Sequence, residues 1–398
     1  MSDAAPVDAT VHDTVSEPVS VTTPSEASPI TFNVTLRLSP VRGGDGGATP
    51  LAAAVQFTPL RRLGGGEGRH PVFLGLDHQL DTELAYKQIP KSSLNLDQYH
   101  AEAQRLHAGR HRHVVPVQYA CEDSDHLFIA MPCFVRGSLQ SLLETRMLTV
   151  REIIRLGLEF LMGLHHAHVR GVAHLDIKPS NVLLDDSGAA LLADFGQSCL
   201  VDAKGFAVQP ELYPTHWPPE VMVTNKLTRQ SDVYQAGLTL YRMCVGESEW
   251  RRQLAALGGN RTEKFVDAVK LGRFPLRDVF PAHIPISLRR VVQRALKVDP
   301  DERWSTVLAL LTALAGVNED EIDWVPTETA EGGMRWTLTP EDGSVPRQFD
   351  LTHNGTGQWN AEGVRLGKRR TRVTAECLGP VSAAAARAHA YRVLMRID

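Results

Sequence analysis

The chain has 398 residues, of which 43% are hydrophobic and 22% are charged. This composition is typical of a soluble globular protein, and the length allows two domains and a large hydrophobic core. The formal net charge of −4 argues against a protein whose whole surface is built to bind nucleic acid, although it is compatible with local basic patches.

The cysteines and the apolar segments predict a cytoplasmic location. The five cysteines are scattered, odd in number and without a Cys-x-x-Cys pair, which is typical of a reducing compartment and of neither a disulfide framework nor a zinc site. The first thirty residues lack Lys, Arg and an apolar core, so we do not expect a secretory signal. The longest apolar stretch, around Val307 to Val317, is too short to cross a bilayer.

The N-terminal region divides into a tail and a strand extension. Residues 1–29 are rich in Ser, Thr, Pro, Ala and Glu and offer little to bury, which predicts disorder. Residues 30–58 begin with ITFNVTLRLSP, whose apolar and polar residues alternate as in a strand. The segment GGDGG breaks this strand, and LAAAVQFTPL predicts a second one.

Three further segments follow in chain order. Residues 59–316 have strand patterns first and helical patterns later, including VREIIRLGLEFLMGLHHAHVRG, a helix that ends at Gly171. Residues 317–332 are acidic and punctuated by turn residues, which predicts a linker. Residues 333–398 alternate again and end in the Ala-rich stretch SAAAARAHAYRVLMRI, which predicts a small α+β domain.

One short loop concentrates chemically active side chains. HLDIKPSNVLLDD places Asp176, Lys178 and Asn181 within six residues, and Asp194 follows on a Phe-Gly turn 18 residues after Asp176. Two carboxylates and an amide that meet across a short hairpin can hold a divalent metal and orient a hydroxyl group. Phosphoryl transfer needs both, because its transition state is stabilised by positioning and by charge neutralisation.

With five further motifs in order, the chain resembles the eukaryotic-like Ser/Thr protein kinases, of the type found in bacteria. The motifs are AYK with Lys87, YHAEAQRL with Glu102, PPE with Glu220, SDVYQAGLTLY with Asp232 and DPDERW with Arg303. Each motif alone is compatible with an ordinary structural role, and it is their shared order that carries the resemblance. The resemblance implies an α+β, two-lobed kinase fold, with a β-rich N-lobe and a helical C-lobe, to which the C-terminal α+β domain is added.

The resemblance also implies the cofactors and the catalytic residues. ATP and Mg²⁺ (or Mn²⁺) would serve as cofactors, and protein substrates, including the chain itself, would be phosphorylated. Asp176 would accept the proton of the substrate hydroxyl and Lys178 would lie near the transferred phosphate. Lys87 would pair with the α- and β-phosphates, and Glu102 would orient it. Asn181 and Asp194 would bind the metal.

A nucleotide pocket follows from the same resemblance. Its expected residues are the loop glycines Gly64, Gly66 and Gly68, the apolar walls Val72, Ala85 and Leu183, and the hinge residues Met131, Pro132 and Phe134. The adenine would bind the Pro132 carbonyl, so the N–H that proline lacks is not needed, and Phe134 would supply the donor.

Two features depart from the family pattern. The Gly-rich loop lacks the third glycine if Val72 is the strand valine, which puts the affinity for nucleotide in question. Leu175 replaces the arginine that in the family binds a phosphorylated activation loop, which implies that activity does not depend on phosphorylation of that loop.

Several alternatives stay open from sequence. A pseudokinase scaffold would bind nucleotide and partner proteins without catalysis, and an antibiotic-type phosphotransferase would share only the catalytic loop. We expect the histidines around His111 to have a structural role rather than to bind a metal. The basic cluster Arg365–Val373 is either a charged edge strand or a docking patch for an acidic partner. We expect the C-terminal domain to direct the kinase to its targets, with packing against the kinase as the competing possibility.

Overall fold

An antiparallel sheet of six strands forms the N-terminal part of the structure. The computed structural model describes residues 30–35, 52–63, 70–93, 110–195, 199–200, 214–224, 227–260, 262–318 and 322–396. The predicted disordered tail, residues 1–29, lies outside these ranges. The strands of the sheet are β1 (Ile30–Thr35), β2 (Ala52–Leu63), β3 (Val72–Asp77), β4 (Thr82–Pro90), β5 (Tyr119–Glu122) and β6 (His126–Pro132). Their order is β1-β2-β3-β4-β6-β5.

The two N-terminal strands predicted from sequence are present and belong to this sheet. β1 pairs antiparallel with the first half of β2, from Ile30 opposite Phe57 to Thr35 opposite Ala52. β2 then continues to Leu63 and pairs with β3. The N-terminal extension is therefore a sixth strand of the N-lobe sheet.

Strand alternation divides the side chains of β4 between two faces. Leu84 and Tyr86 are buried on one face, where Phe57 stacks on Tyr86 with ring centroids 3.8 Å apart. The Tyr86 hydroxyl donates to the buried carboxylate of Asp77 at 3.0 Å. Because successive side chains of a strand point to opposite faces, Lys87 points away from this cluster. The alternation thus leaves Lys87 on the face that looks toward the helical part of the chain.

The helical C-lobe follows and is joined by four short strands. Its helices are α1 (Leu139–Thr145), α2 (Val150–Val169), α3 (Val221–Thr224), α4 (Arg229–Val245), α5 (Glu247–Ala256), α6 (Glu263–Lys270), α7 (Ile286–Ala295) and α8 (Val307–Ala315). The short strands are β7 (Val172–Ala173), β8 (Val182–Leu184), β9 (Ala190–Leu192) and β10 (Cys199–Leu200). Within the described ranges, every helix is too short or too polar to traverse a lipid bilayer.

Local sequence signals explain the two longest helices. α2 begins with a capping box, in which the Thr149 hydroxyl accepts from the Glu152 N–H and the Glu152 carboxylate accepts from the Thr149 N–H. Its apolar residues recur at helical spacing and face the core, as predicted from sequence. α4 is buried from Ser231 to Val245, so it is the central helix of the lobe.

A buried ion pair joins the segment before α3 to the segment before α8, the last helix of the C-lobe. Arg303 donates to the Glu220 carboxylate through Nη2 at 2.7 Å and Nη1 at 3.0 Å, and its side chain is fully buried. The guanidinium also donates to the carbonyls of Gln230 and Val298, at 2.8 and 3.0 Å. These bonds satisfy the buried guanidinium, which makes the pair a structural anchor.

A second buried anchor is the carboxylate of Asp232, in the first turn of α4. Its Oδ1 accepts from the Leu175 N–H at 2.7 Å, and its Oδ2 accepts from the His174 N–H at 2.9 Å. The His168 side chain adds a third bond to Oδ2 at 2.6 Å. The loop that carries Asp176 is therefore attached to the central helix through its backbone.

The C-terminal domain is a five-stranded antiparallel sheet with one helix. Its elements are β11 (Val325–Glu328), β12 (Met334–Leu338), β13 (Arg347–His353), β14 (Trp359–Leu366), β15 (Arg370–Val381) and α9 (Ala383–Leu394). The strands lie in chain order, and α9 covers the face that buries Trp336 and Phe349. The α+β domain predicted from sequence is present.

The predicted linker, residues 317–332, differs from the structure. Trp324 is buried in the core of the C-terminal domain, and Val325–Glu328 is the first strand of its sheet. The prediction of a linker was based on the acidic residues. The burial of the Trp324 ring stabilises the folded segment more than the acidic residues favour solvent, because it removes much apolar area from water. β11 is an edge strand, so its Pro326 does not interrupt the sheet.

The C-terminal domain packs against the C-lobe through buried and charged contacts. Trp336 Nε1 donates to Nδ1 of the buried His283 at 3.1 Å. Arg151 of α2 binds both carboxylate oxygens of Asp323, at 2.5 and 2.7 Å. The Tyr391 ring of α9 lies 5.0 Å from the Arg289 guanidinium of α7. The terminal helix thus contacts both its own sheet and the C-lobe.

The two anchors predict large losses of stability when either is broken. Glu220→Ala and Asp232→Ala should each lower the free energy of unfolding by about 3–5 kcal/mol, because each leaves buried donors without their acceptor. Glu302→Ala is the matched control, since Glu302 forms an exposed pair with Lys297 whose removal costs below about 1 kcal/mol. Denaturant unfolding measures all three, and equal losses in the three variants would contradict the assignment.

The contact between the domains predicts a pH dependence of stability. Burial lowers the pKa of His283 to about 3 from its usual 6.5, although the Leu148 carbonyl favours the protonated form. The unfolded chain therefore binds a proton that the folded chain does not, so stability is lost as the pH falls from about 6.5. Between about pH 6 and 4, wild type should lose roughly 1 kcal/mol per pH unit more than His283→Gln. If the curves of unfolding free energy against pH are parallel for wild type and His283→Gln, His283 does not have this role.

Candidate active site

Asp176, Lys178 and Asn181 converge in the structure as their spacing predicts. The Asn181 side-chain nitrogen donates to Asp176 Oδ2 at 2.8 Å and to the Asp176 carbonyl at 2.7 Å. Lys178 Nζ lies 2.8 Å from the same Oδ2 and 3.1 Å from Oδ1. Asp176 Oδ2 thus accepts two bonds, which leaves Oδ1 the less occupied oxygen of the carboxylate.

Asp194 lies beside this loop and reaches the other lobe. The Ala193 N–H donates to the Asn181 carbonyl at 2.8 Å, so the residue before Asp194 is attached to the loop 174–181, called the catalytic loop here because of its resemblance to the kinase family. Asp194 has a φ of 64°, in the left-handed region, and its carboxylate accepts a hydrogen bond from Lys87 Nζ. A cation of the N-lobe sheet and a carboxylate of the C-lobe therefore meet in the cleft between the lobes.

His174 connects the catalytic loop to the strand that leads to Asp194. Its Nε2 lies 3.0 Å from the Ala193 carbonyl, and its Nδ1 accepts from the Asp176 N–H at 3.3 Å. These partners fix the tautomer with the proton on Nε2. Burial lowers the pKa of His174, so the ring is neutral. The ring of Phe195 packs edge-on against it, with centroids 4.6 Å apart.

Leu175 occupies a strained but well-packed position. Its φ is 62°, which is rare for a residue with a branched side chain. The side chain is buried in an apolar cluster with Ala173 and Leu227. The departure from the family pattern noted in the sequence is thus an apolar contact beneath the loop.

One buried residue of the site was missed by sequence reasoning. Gln235 of α4 accepts from the Ile177 N–H at 3.1 Å and donates to the Leu175 carbonyl at 3.0 Å. It is a single letter in SDVYQAGLTLY, and its only sequence signal is its position three residues after Asp232, on the same face of the helix. Asp232 and Gln235 together hold the backbone on both sides of Asp176.

Most residues of the predicted nucleotide pocket lie together. Ala85 is paired with Met131 across β4 and β6, and Pro132 is the last residue of β6. Met131, Phe134 and Leu183 pack against one apolar cluster formed by Val115, Leu191 and Ala193. Val72 is paired with Lys87 across β3 and β4. These residues form one apolar surface next to the ion pair of Lys87 and Asp194.

Two parts of the predicted site fall outside the described residues. They are Glu102 and the loop glycines Gly64, Gly66 and Gly68. The pairing of Glu102 with Lys87 and the contacts of the glycines with phosphate stay predictions.

The donor set next to Asp176 suits a hard divalent cation. The nitrogen of the Asn181 amide is bound to Asp176, so its oxygen is the atom left to coordinate a metal, and Asp194 offers a carboxylate. Oxygen donors of this kind bind Mg²⁺ and Mn²⁺, with water and phosphate oxygens completing the shell. The residues present therefore fit the cation that phosphoryl transfer needs.

Three of the histidines around His111 have structural contacts. The His111 ring lies 4.7 Å from that of His166, and His113 Nδ1 lies 2.9 Å from the Ala190 carbonyl. In the part of the chain that the structure describes, no group of three or more His, Cys, Asp and Glu side chains has the arrangement of a metal site.

Comparison with known proteins adds independent evidence. The model of the protein kinase domain matches residues 57–313, more than half of the chain. The chain is 28% identical over 314 residues to serine/threonine-protein kinase PknK of Mycobacterium bovis, which covers 76% of the chain and 27% of that protein. It is 25% identical over 351 residues to serine/threonine-protein kinase PknD of Chlamydia muridarum, which covers 77% of the chain and 36% of that protein.

A plant protein is similar over a shorter range. A probable receptor-like protein kinase of Arabidopsis thaliana is 27% identical over 231 residues, which covers 50% of the chain and 27% of that protein. The chain therefore aligns with roughly a quarter to a third of the length of these relatives. The domain match spans both lobes and the residues that the sequence predicts as catalytic, and on this ground the chain belongs to the protein kinase family.

Proposed function

We propose that the chain transfers the γ-phosphate of ATP to serine and threonine hydroxyls of protein substrates, including its own. The observation that carries the proposal is the convergence of Asp176, Lys178 and Asn181 beside the ion pair of Lys87 and Asp194. The names of the bacterial relatives and the position of Lys178 support serine and threonine as acceptors.

Each side chain has a distinct task in this proposal. Asp176 accepts the proton of the attacking hydroxyl, and its bonds from Lys178 and Asn181 hold the carboxylate in one orientation. Lys87 leaves Asp194 to bind the nucleotide phosphates, since ammonium groups bind phosphate as readily as carboxylate. A bound Mg²⁺ supplies neutralisation of phosphate charge, and Asp194 and Asn181 would hold it.

The alternatives explain fewer of the contacts. A pseudokinase scaffold needs the nucleotide pocket but not the ordered hydrogen bonds around Asp176. A small-molecule phosphotransferase accounts for the catalytic loop but not for the anchors formed by Glu220, Arg303 and Asp232. The kinase proposal accounts for all of them.

Three substitutions test the catalytic proposal. Asp176→Asn, Lys87→Ala and Asp194→Ala should each lower incorporation of radiolabelled phosphate by about 100-fold or more, because each removes a group required in the transition state. Asp186→Asn is the matched control, an exposed carboxylate ten residues from Asp176 that should keep full activity. Thermal melting should show all four variants folded. If wild type binds ATP but labels neither itself nor a general acceptor protein, the scaffold alternative holds.

The basic cluster Arg365–Val373 is proposed as a docking site for acidic protein segments. It lies at the turn between β14 and β15 and along the edge strand, and Arg365, Lys368 and Arg369 are exposed. Arg370 and Arg372 lie 3.4 and 3.7 Å from the Glu362 carboxylate, so part of the charge is neutralised within the sheet. Since the domain packs on the C-lobe, this patch would hold a fixed position relative to the cleft.

A cytoplasmic location is part of the same proposal. Cys121, Cys133, Cys244 and Cys377 are free thiols in the structure, which supports a reducing compartment.

Charge reversal at the hairpin tests the docking proposal. In the double variant Lys368→Glu and Arg369→Glu, the KM for casein, an acidic acceptor, should rise several-fold and the effect should weaken with salt. The rate of autophosphorylation should not change. Arg387→Glu, an exposed arginine of α9, is the control for net charge. An equal rise in KM for both variants would exclude a specific patch.

A further inference from the structure

The side chain of Gln235 is buried beneath the catalytic loop and connects three backbone segments. It is 1% exposed. Its Oε1 accepts from the Ile177 N–H at 3.1 Å, and its Nε2 donates to the Leu175 carbonyl at 3.0 Å. The same Nε2 donates to the His216 carbonyl at 3.3 Å. The first two of these partners, Ile177 and Leu175, are the sequence neighbours of Asp176.

The three partners match the amide group by group. Two carbonyls face its two N–H bonds, and one N–H faces its oxygen. Rotating the amide by half a turn would place donors against the donor and an acceptor against the acceptors, so only one orientation is favourable. A side chain of equal size without these groups would leave three buried backbone groups unsatisfied.

One of these bonds holds a strained peptide. Leu175 has a φ of 62°, a left-handed conformation that such a residue rarely adopts and that persists only where its surroundings impose it. Asp232 binds the N–H of Leu175 at 2.7 Å, and Gln235 binds its carbonyl. Both ends of the strained residue are thus held by side chains of α4, one helical turn apart.

The third bond reaches the segment that precedes Glu220. His216 ends the short turn Pro214–His216, four residues before Glu220, whose carboxylate binds Arg303. Gln235 is therefore a bridge between the loop that carries Asp176 and the segment anchored by the Glu220 ion pair. The bridge is a neutral amide, so neither a phosphate group nor a change in protonation is needed to form it.

We propose that Gln235 is a positioning residue, which holds Asp176 in its catalytic orientation and joins the catalytic loop to the segment around His216 that precedes Glu220. The inference rests on the proposed kinase function. In this role an uncharged side chain of the central helix couples the two segments without phosphorylation.

Kinetics of Gln235→Met test this role. Methionine fills a similar volume without hydrogen-bonding groups, so kcat should fall about 10- to 100-fold, since misplacing a reacting group by about 1 Å has effects of this size. The KM for ATP should stay unchanged, because the nucleotide pocket lies elsewhere. Gln230→Met is the matched control: the same substitution in the same helix, where the side chain donates to the Ser305 carbonyl and, among the described residues, has no contact with the catalytic loop. It should keep wild-type kcat.

Hydrogen exchange supplies a readout that does not depend on catalysis. In Gln235→Met the amide of Ile177 should exchange faster, because its acceptor is gone, while the amides of His174 and Leu175 stay protected by Asp232. Gln235→Glu is a second variant that keeps the acceptor for Ile177 but turns a carboxylate oxygen toward two carbonyls. It should lower kcat while leaving the exchange of Ile177 slow.

The outcomes separate the inference from the proposed function. Faster exchange at Ile177 together with a lower kcat and an unchanged KM for ATP supports it. A lower melting temperature with unchanged kcat per folded molecule overturns it, as does unchanged exchange at Ile177 in Gln235→Met. If wild type transfers no phosphate but the exchange at Ile177 responds as expected, the bridge stands and the proposed function fails.

Discussion

The buried carboxylate of Asp232 is the constraint on which the site depends. A charge without water is costly unless hydrogen bonds replace its hydration, and here two backbone N–H groups and one imidazole do so. Its place in the first turn of α4 adds the favourable end of the helix dipole. Because two of the three donors belong to the catalytic loop, satisfying this one charge fixes the backbone that precedes Asp176.

From that point a chain of contacts crosses the cleft. His174 continues from the loop to the Ala193 carbonyl, and the next residue is Asp194. Asp194 in turn binds Lys87, whose direction follows from strand alternation in β4. A series of hydrogen bonds thus connects Lys87 in the N-lobe sheet to the Asp232 carboxylate in the centre of the C-lobe. Charged and neutral hydrogen bonds alternate along this series.

The sequence predicted those parts of the molecule that local patterns determine. The strands around Phe57, the helix α2 and the loop of Asp176 carry a periodicity or a spacing that depends on local sequence alone. Gln235 was missed because an amide in a helix has no pattern of its own, and its importance arises from three backbone groups that are distant in sequence. Trp324 was assigned to a linker for a related reason: the acidic residues around it are a local signal, whereas the cavity that receives its ring is formed by strands that come later in the chain.

The added strand β1 has a consequence for the behaviour of the chain in concentrated solution. Residues Ala52 to Phe57 of β2 bond to β1 along one side, and Phe57 lies directly on the Tyr86 core. Without β1, these six residues would present a bare row of N–H and C=O groups beside an apolar surface, which is the feature that leads sheets of separate molecules to pair edge to edge. β1 therefore acts as a cover against aggregation, and a shortened chain that began at Ala52 would have this edge exposed.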